Sequence, residues 1–340
     1  MDSPRPLCIG ALGAARITPE ARVQAAKLCP EVRVTAVAAR SPERARSFAR
    51  EHGIGRAHDS YEALLADPEV DAVYIALPNG LHGRWTLAAL AAKKHVLCEK
   101  PFAANAEEAR HVADAAAASG LVVMEAFHYR HHPLARRMEE IVKSGELGEI
   151  LRIETALCFP LPFFRDIRYR LDLAGGALMD GGCYAVNLAR LLGGGRPAVV
   201  SANAKLRSPG VDRAMRAELR FPGGASGHVL TSMWSTDLLR ASARVVGSAG
   251  EMKVFNPYMP QRFHRLTVHV GRDVRRERSA SRPTYAYQLD AFAAACLRGA
   301  PVLTSAEDAV VNMSVIDDVY RAAGLKVREP CVSRQGAGAL

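Results

Sequence analysis

The sequence predicts an α/β protein in two parts: a doubly wound parallel sheet, then an α+β domain with a large, open, mostly antiparallel sheet. Apolar strands and helices alternate up to residue 127, which is typical of a parallel sheet with right-handed crossovers. Beyond residue 148, strands follow one another with turns between them. We therefore expect one domain over residues 1–127 and a second over 128–333, with C-terminal helices that can pack back on the first.

The composition is that of a globular protein, with 340 residues, 49% hydrophobic and 24% charged. No apolar run is long enough to span a bilayer, and we expect no signal peptide, because no apolar segment precedes the first strand. The seven cysteines lack CxxC spacing, so we expect free thiols in a cytoplasmic protein. The net charge of +10 is dispersed along the chain, which favours anionic small ligands over nucleic-acid or membrane partners.

The first strand, residues 6–13, ends in a turn of small residues before a helical stretch from Pro19 to Leu28. Strand, tight turn and helix form the context of a dinucleotide-binding fingerprint, in which backbone N–H groups approach a pyrophosphate. The match is degenerate, because Ala15 and Thr18 stand at the second and third glycine positions. The cofactor contacts predicted here are Gly13, Ala15, Arg16 and Ile17.

The second strand, Val32–Ala39, runs into Arg40 and Ser41. NAD-binding folds place an acid at this position to hold the ribose 2′-hydroxyl, whereas an arginine accommodates a 2′-phosphate. Arg40, Ser41 and the nearby Arg44 therefore favour NADP(H) over NAD. The alternative is a helix N-terminus with incidental arginines.

The third strand, Asp71–Leu77, stops at Pro78-Asn79-Gly80, and a helix continues to Ala92. Leu77, Pro78, Asn79 and His82 are expected at the carboxyl edge of the sheet, where ligands of open α/β sheets bind. His82 has a second interpretation of nearly equal merit, as a helix cap or surface residue.

The fourth strand, His95–Cys98, ends abruptly in Glu99-Lys100-Pro101. Pro101 cannot donate to a sheet ladder, so Lys100 is expected at the carboxyl end of the strand beside Glu99. A lysine held there near an acid can orient a hydroxyl or carbonyl group and take part in proton transfer. The alternative is an ordinary solvated Lys–Glu pair.

A helix at Ala106–Ser119 and a strand at Leu121–Phe127 complete the first part. The cluster from His128 to Pro133 contains three histidines, but no acidic or cysteine partner stands at metal-ligand spacing. We interpret it as a loop lining the substrate site and expect no metal.

Strands alternate with turns through most of the second part, and two helices close it. The expected strands are Ile150–Phe159, Val199–Leu206, Arg213–Phe221, Ala225–Ser235, Ala241–Gly247, Glu251–Asn256 and Arg265–Val270, and the helices are Leu134–Ser144, Tyr285–Arg298 and Ser305–Ala323.

A glycine-rich segment, residues 174–187, is the most unusual part of the second half. From residue 177 it has a helical pattern, and Asp180 and Tyr184 are four residues apart, so they share a helix face. An acid and a phenol near a lysine form a plausible proton-transfer set. The alternative, a surface aspartate and a tyrosine at the core rim, fits the glycine pairs less well, because glycines within a helix cost stability.

Taken together, these motifs resemble the Gfo/Idh/MocA family of NAD(P)-dependent oxidoreductases over nearly the whole chain. The motifs that carry the resemblance stand at family spacing: Gly10–Ile17, Leu-Pro-Asn-Gly-Leu-His at 77–82, Glu-Lys-Pro at 99–101 and Gly-Gly-Ala-Leu-Met-Asp-Gly-Gly-Cys-Tyr at 175–184. Tyr184 stands where many members have histidine. This substitution, with residues 124–127 and 131–133, is similar to the branch with dihydrodiol dehydrogenases and sugar ketoreductases.

The resemblance implies a Rossmann domain and a site in which Lys100 contacts the reacting oxygen and Tyr184 is the general acid or base. It implies that Asp180 orients the substrate or supports the tyrosine, that Glu99 contacts the cofactor, and that Arg130 and Arg168 contact the substrate. Lys100 beside a cationic nicotinamide is expected to favour loss of the tyrosine proton. Homodimers or homotetramers through the open sheet of the second domain are also implied.

The function that follows is NADP(H)-dependent hydride transfer to or from a carbinol or carbonyl carbon of a sugar, keto-sugar or cyclic polyol. Within this class the alternative is a trans-dihydrodiol or aldose 1-dehydrogenase. A non-catalytic NADP-binding sensor is the alternative of another class, and the presence of both Lys100 and Tyr184 counts against it.

Overall fold

The computed structural model describes residues 5–331 and contains two sheets. The strands of the first sheet are β1 (Leu7–Leu12), β2 (Val32–Ala38), β3 (Arg56–His58), β4 (Ala72–Ile75), β5 (His95–Cys98) and β6 (Val123–Glu125). They are all parallel, in the spatial order β3-β2-β1-β4-β5-β6. The predicted doubly wound sheet is confirmed, and its order reverses between β1 and β4, where such sheets bind ligands.

Helices connect these strands: α1 (Pro42–His52), α2 (Tyr61–Leu65), α3 (His82–Ala91) and α4 (Ala106–Ser119). The expected first helix is a π-helical segment, Pro19–Gln24, and a 3-10 turn, Asn79–Leu81, precedes α3. Side-chain caps fix three of these helix starts, because Ser41 accepts from the Arg44 amide, Ser60 from the Ala63 amide and Asn105 from the Glu108 amide.

The second sheet has eight strands: β7 (Ile150–Cys158), β8 (Ala198–Ser208), β9 (Val211–Arg220), β10 (Ser226–Ser232), β11 (Arg240–Gly247), β12 (Gly250–Phe255), β13 (Arg265–Val270) and β14 (Asp273–Glu277). Their order is β14-β13-β12-β11-β7-β10-β9-β8, and only the pair β7/β10 is parallel. The expected mostly antiparallel sheet is therefore confirmed.

The remaining helices are α5 (Pro133–Lys143), α6 (Cys183–Gly193), α7 (Thr284–Arg298) and α8 (Ala306–Ala322), with a π-helical segment, Leu178–Gly182, running into α6. Short 3-10 turns lie at His128–His131, Ile167–Tyr169 and Leu171–Leu173. No helix in the described part of the chain is long and apolar enough to cross a membrane.

Burial patterns explain why the two sheets differ. All four residues of β4 are buried, since helices cover both faces of the first sheet. In β12, buried Met252 and Val254 alternate with exposed Lys253 and Phe255, because only one face of the second sheet packs on the core. The helix α7 packs on the first sheet, where Tyr285, Leu289 and Phe292 join the core around β1 and β4.

Candidate functional site

A cleft of about 160 Å³ opens at the carboxyl ends of the central strands of the first sheet, against the start of the helical region that ends in α6. It brings together ten of the residues predicted from sequence: Ala15, Ile17, Leu77, Pro78, Asn79, His82, Glu99, Lys100, Arg168 and Asp180. Ile167 and Leu173, which the sequence did not single out, close it from the second domain.

The turn after β1 needs glycine at position 13. Its φ is +106°, and a Cβ atom there would lie 2.5 Å from the carbonyl oxygen of Ala76 at the end of β4. The backbone of this turn is thereby held against the neighbouring strand, as a dinucleotide-binding turn requires.

Beside this turn, a second groove of about 450 Å³ is lined by Arg16 and Arg44. The Arg44 guanidinium donates to the carbonyl oxygen of Ala14 at 2.9 Å, so α1 is tied to the turn. Ser41 donates to Glu43 at 2.7 Å. Two arginines flank the edge where a dinucleotide would carry its adenosine, and Arg40 and Ser41 directly precede α1.

Lys100 pairs with Asp180 of the second domain and not with its sequence neighbour Glu99. Its ammonium group donates to the Asp180 carbonyl oxygen at 2.9 Å and lies 3.3 Å from Asp180 Oδ1. Arg168 Nε binds the other carboxylate oxygen, Oδ2, at 3.1 Å. The catalytic candidates from the two domains are thus joined by one carboxylate between two cations.

These charges set the protonation states. Burial works to lower the pKa of Lys100, but the Asp180 carboxylate, together with Cys183 and Glu99, outweighs it, and the net pKa is raised. Burial likewise opposes ionisation of Asp180, but Lys100 and Arg168 hold its pKa below the usual range. An ammonium group and a carboxylate therefore face each other at neutral pH.

Tyr184 lies beneath Lys100, whose ammonium group is 5.1 Å from the centre of the tyrosine ring. Phe127, Tyr129 and Tyr258 pack around the ring at centroid distances of 5.2–6.0 Å. Burial, aided by Tyr285, raises the pKa of Tyr184 well above its ordinary value. The phenol is therefore protonated in this environment, and the loss of its proton beside a bound nicotinamide, expected from the sequence, stays a prediction.

Close packing explains the glycine pair 181–182. A Cβ atom on Gly181 would lie 2.9 Å from the Thr231 hydroxyl, and one on Gly182 would lie 3.0 Å from the Thr231 methyl group. The helical segment that carries Asp180 and Tyr184 is therefore pressed directly onto β10. Its first turn is π-helical, a form often found at functional sites.

Glu99 is held by a buried group that the sequence did not reveal. The Tyr74 hydroxyl donates to Glu99 Oε1 at 2.7 Å, and fully buried Arg22 lies 3.7 Å from the same oxygen. The Arg22 guanidinium also stacks 4.0 Å from the centre of the Tyr74 ring. No sequence signal distinguishes this arginine, because its burial depends on partners from β4 and β5.

His82 and Asn79 are tied to backbone carbonyl groups. His82 is buried, with Nδ1 2.7 Å from Pro101 O and Nε2 2.8 Å from Leu77 O. Burial lowers the pKa of His82. The two carbonyl acceptors work in the opposite direction, because they favour the imidazolium, but they do not outweigh burial. Asn79 donates to Ala174 O at 3.1 Å and so links the two domains. His82 lines the cleft at the carboxyl edge, as predicted, and the alternative interpretation as a surface residue is wrong.

Arg130 and Tyr184 are predicted site residues that do not line the cleft. The Arg130 guanidinium lies 3.5 Å from Asn187 Oδ1. The neighbouring histidines are also packed inward: His128 lies against Tyr285 with ring centroids 4.3 Å apart. The interpretation of this cluster as a loop lining the substrate site stays a prediction.

Burial lowers the pKa of His131 to about 3 and that of His132 to about 4. Across residues 5–331, no group of three His, Cys, Asp or Glu side chains could hold a metal ion.

A larger groove of about 720 Å³ lies beside β2, lined mainly by apolar residues such as Val23 and Val34. None of the predicted site residues lines it. The smaller cleft is the better candidate, because charged groups of perturbed pKa converge there.

Comparison with known proteins identifies both domains. Residues 7–127 match a model described as an oxidoreductase family with an NAD-binding Rossmann fold, and residues 135–253 match the GFO/IDH/MocA C-terminal domain. The chain is 39% identical to D-xylose 1-dehydrogenase (NADP(+)) 2 of Haloferax volcanii, over 93% of this chain and 97% of that protein.

Two further relatives differ in activity. Trans-1,2-dihydrobenzene-1,2-diol dehydrogenase of Macaca fascicularis is 35% identical, with 66% of each chain covered. The crystal structure of a 3-ketoreductase from Actinomadura kijaniata, in complex with NADP and TDP-benzene, superposes with a TM-score of 0.87 at 30% identity, covering 94% of this chain and 98% of that one. The protein described here therefore belongs to the GFO/IDH/MocA oxidoreductase family.

Proposed function

We propose that this protein is an NADP(H)-dependent oxidoreductase that transfers hydride to or from a carbinol or carbonyl carbon of a sugar, keto-sugar or related cyclic polyol. The observation that carries the proposal is the convergence of Lys100, Asp180 and Tyr184 from two domains at the carboxyl edge of the first sheet. The named relatives, which act on a sugar, a dihydrodiol and a keto group, support the same class.

The residues at the cleft and in the adjoining groove suit NADP(H) as the cofactor. The turn at Gly13 leaves no room for a side chain, and Arg16 and Arg44 line the adjoining groove. We assign Gly13, Ala15, Arg16 and Ile17 to the pyrophosphate side, and Arg40, Ser41 and Arg44 to a 2′-phosphate. Leu77, Pro78, Asn79 and Glu99 would line the nicotinamide half. When bound, NADP(H) supplies or accepts the hydride.

Lys100 and Tyr184 would act on the substrate oxygen. In the direction of reduction, the Lys100 ammonium group donates a hydrogen bond to the carbonyl oxygen, and Tyr184 gives that oxygen its proton as the hydride reaches the carbon. A phenol kept protonated by burial suits this role. Oxidation runs the same steps backwards. Asp180 keeps Lys100 charged and in place, and Arg168 extends the cationic rim towards the substrate.

We assign His82 a supporting role in place of direct cofactor binding, because both of its ring nitrogens face backbone carbonyl oxygens. Arg130 stays a substrate-binding prediction that none of its described contacts supports.

A second candidate function is oxidation of an aldose at C1, favoured by the D-xylose 1-dehydrogenase relative.

We also propose that the protein forms homo-oligomers through the outer face of the second sheet. That face carries a groove of about 470 Å³ lined by polar and charged residues, including Arg244, Lys253 and His269. Light scattering coupled to size-exclusion chromatography would report the oligomeric mass.

The test is a panel of aldoses, inositols and trans-dihydrodiols with NADP⁺ or NAD⁺, and of keto-sugars with NADPH, followed by nicotinamide absorbance. Tyr184→Phe removes only the hydroxyl group, so we expect kcat to fall by about 10²–10⁴ with NADPH affinity unchanged. Arg40→Ala should raise the KM for NADP⁺ and leave that for NAD⁺ nearly unaltered. Tight NADPH binding without turnover of any panel member would favour the non-catalytic sensor.

A further inference from the structure

The turn from Glu99 to Phe102, called here the Lys100 turn, leaves the first sheet after a hydrogen bond from the Glu99 amide to Ile75 O, at 2.9 Å. Pro101 has no N–H group, and the Lys100 amide has only a weak contact with Glu99 Oε2, at 3.3 Å. The backbone of the turn must therefore be held from outside if the lysine is to keep one position.

Two buried side chains reach this backbone from opposite sides. His82, on α3, contacts the carbonyl oxygen of Pro101 at 2.7 Å. Glu125, at the end of β6, accepts a hydrogen bond from the Phe102 amide at 2.9 Å through Oε1. Both contacts fall within two residues of Lys100.

Glu125 is itself rigidly fixed. Its amide donates to the carbonyl oxygen of Thr304 at 2.8 Å, and the Thr304 hydroxyl donates to the carbonyl oxygen of Glu125 at 2.7 Å. The next amide, that of Ala126, donates to the Cys98 carbonyl oxygen at 2.7 Å, which joins β6 to the end of the lysine-bearing strand. Because its backbone is fixed in this way, the Glu125 carboxyl group can set the position of the Phe102 amide that it binds.

The same carboxyl group is costly to the fold. Glu125 is completely buried, and its second oxygen, Oε2, has no partner among the described residues. Burying an acid with a single hydrogen bond is unfavourable compared with an apolar side chain of the same size. The residue also stands in the Met124–Phe127 motif, which cofactor and substrate contacts leave without a role.

We propose that Glu125 is a positioning residue, which holds Lys100 in its catalytic place by accepting the hydrogen bond of the Phe102 amide. The inference rests on the proposed function, in which Lys100 contacts the reacting oxygen. For this role Glu125 needs only an oxygen atom that accepts the hydrogen bond, and not a negative charge. Burial, with the charge of Asp308 acting in the same sense, raises the pKa of Glu125 to about 8, so the group is largely neutral near pH 7.

The test compares two variants of Glu125 on the substrate that the panel identifies. Glu125→Gln keeps an acceptor oxygen at the same reach, whereas Glu125→Met keeps the size and removes the acceptor. A displacement of about 1 Å at a catalytic group costs on the order of 100-fold. We expect kcat of the Met variant to fall by ~10- to 100-fold with the NADPH Kd within threefold, and kcat of the Gln variant to stay within threefold of the wild type.

Asp317 supplies a matched control. It is another buried acid with one oxygen bound to a backbone amide, that of Ala106 at 3.0 Å, and the other unpartnered. It lies on α8 and does not touch the Lys100 turn. Asp317→Leu should therefore change thermal stability in the same direction as Glu125→Met, but leave kcat unchanged. Equal losses of kcat in the two variants, or a Gln variant as slow as the Met variant, would overturn the proposal.

A second readout does not depend on activity. Amide hydrogen exchange of a peptide covering residues 99–105 should accelerate at least tenfold in Glu125→Met and stay unchanged in Glu125→Gln and Asp317→Leu. If the Met variant does not fold, Glu125→Asp replaces it, because its carboxyl group falls short of the amide by about 1.5 Å. A wild type without turnover would refute the proposed function alone, and unaltered exchange in the Met or Asp variant would refute the positioning role.

Discussion

The pair formed by Lys100 and Asp180 gives the sharpest prediction about catalysis. At 3.3 Å between Nζ and Oδ1, their gross attraction is about 5 kcal/mol for an effective dielectric constant of ~20. This is an upper limit, because Arg168 competes for the same carboxylate at 3.1 Å. About a quarter of this energy already corresponds to a roughly tenfold change in an equilibrium constant. Asp180→Asn should therefore lower kcat by at least about tenfold.

The pH dependence of kcat/KM tests the direction of the pKa shift of Lys100. In the wild type, burial works to lower the pKa of Lys100, but Asp180, the largest of the groups that raise it, and its neighbours Cys183 and Glu99 together outweigh burial, so the ammonium form persists to alkaline pH. In Asp180→Asn the lowering effect of burial is unopposed by that charge. The alkaline limb of the kcat/KM profile should then move to lower pH, measured between pH 6 and 10.5 at saturating cofactor.

Asp166→Asn is the control for this experiment. Asp166 also binds Arg168, at 3.1 Å, but it makes no contact with Lys100. Its substitution should leave the alkaline limb in place even if the affinity for substrate changes. Profiles of Asp180→Asn and wild type that coincide would refute the role of Asp180 in charging Lys100.

Three further predictions concern binding and stability. Gly13→Ala should destabilise the fold by about 1–3 kcal/mol and weaken NADPH binding more than tenfold in calorimetry, because its φ is +106° and its Cβ would press on Ala76. Arg328→Met should cost about 3–5 kcal/mol in denaturant unfolding, since it leaves the fully buried Asp212 carboxylate, 2.7 Å away, without its cation; an unchanged midpoint would contradict this. A Glu125 pKa raised from 4.5 to about 8 corresponds to at most about 5 kcal/mol of stability lost as pH rises from about 4.5 to 8, so Glu125→Gln should gain melting temperature over wild type at pH 8 relative to pH 5 in thermal scans.

Elements with a strong local pattern were predictable from the sequence. The strand His95–Cys98 and the helix Ala106–Ser119 have the expected bounds, because an apolar run before Pro101 and an Asn105 cap define them locally. Two edge strands were missed. The strand Arg56–His58 is short, and Asp273–Glu277 is largely charged and exposed, so neither shows the apolar pattern of a buried strand.

The residues of the candidate site also fall into those that the sequence could place and those that it could not. The carboxyl edge of a parallel sheet is implied by strand order, so motifs such as Asn79 and Lys100 could be placed there from sequence. The partner of Lys100 could not. A local interpretation pairs it with Glu99, whereas Asp180, eighty residues away, binds it in the structure. Spacing within one segment carries no information about a contact between two domains.

The buried charges show why such contacts escape sequence analysis and why they matter here. Arg22, Glu125 and Arg328 each look like ordinary solvated residues in the sequence, yet all three are buried next to the cleft, to the Lys100 turn or to the glycine-rich segment 174–187. A buried charge or acid is tolerable only where a specific partner from elsewhere in the fold meets it. Burial of these groups is therefore a property of the assembled site. The Lys100 turn, held by His82 and Glu125 from two different elements, is the place where that cost has a direct use, because these contacts fix the backbone that carries the lysine while Asp180 binds its ammonium group.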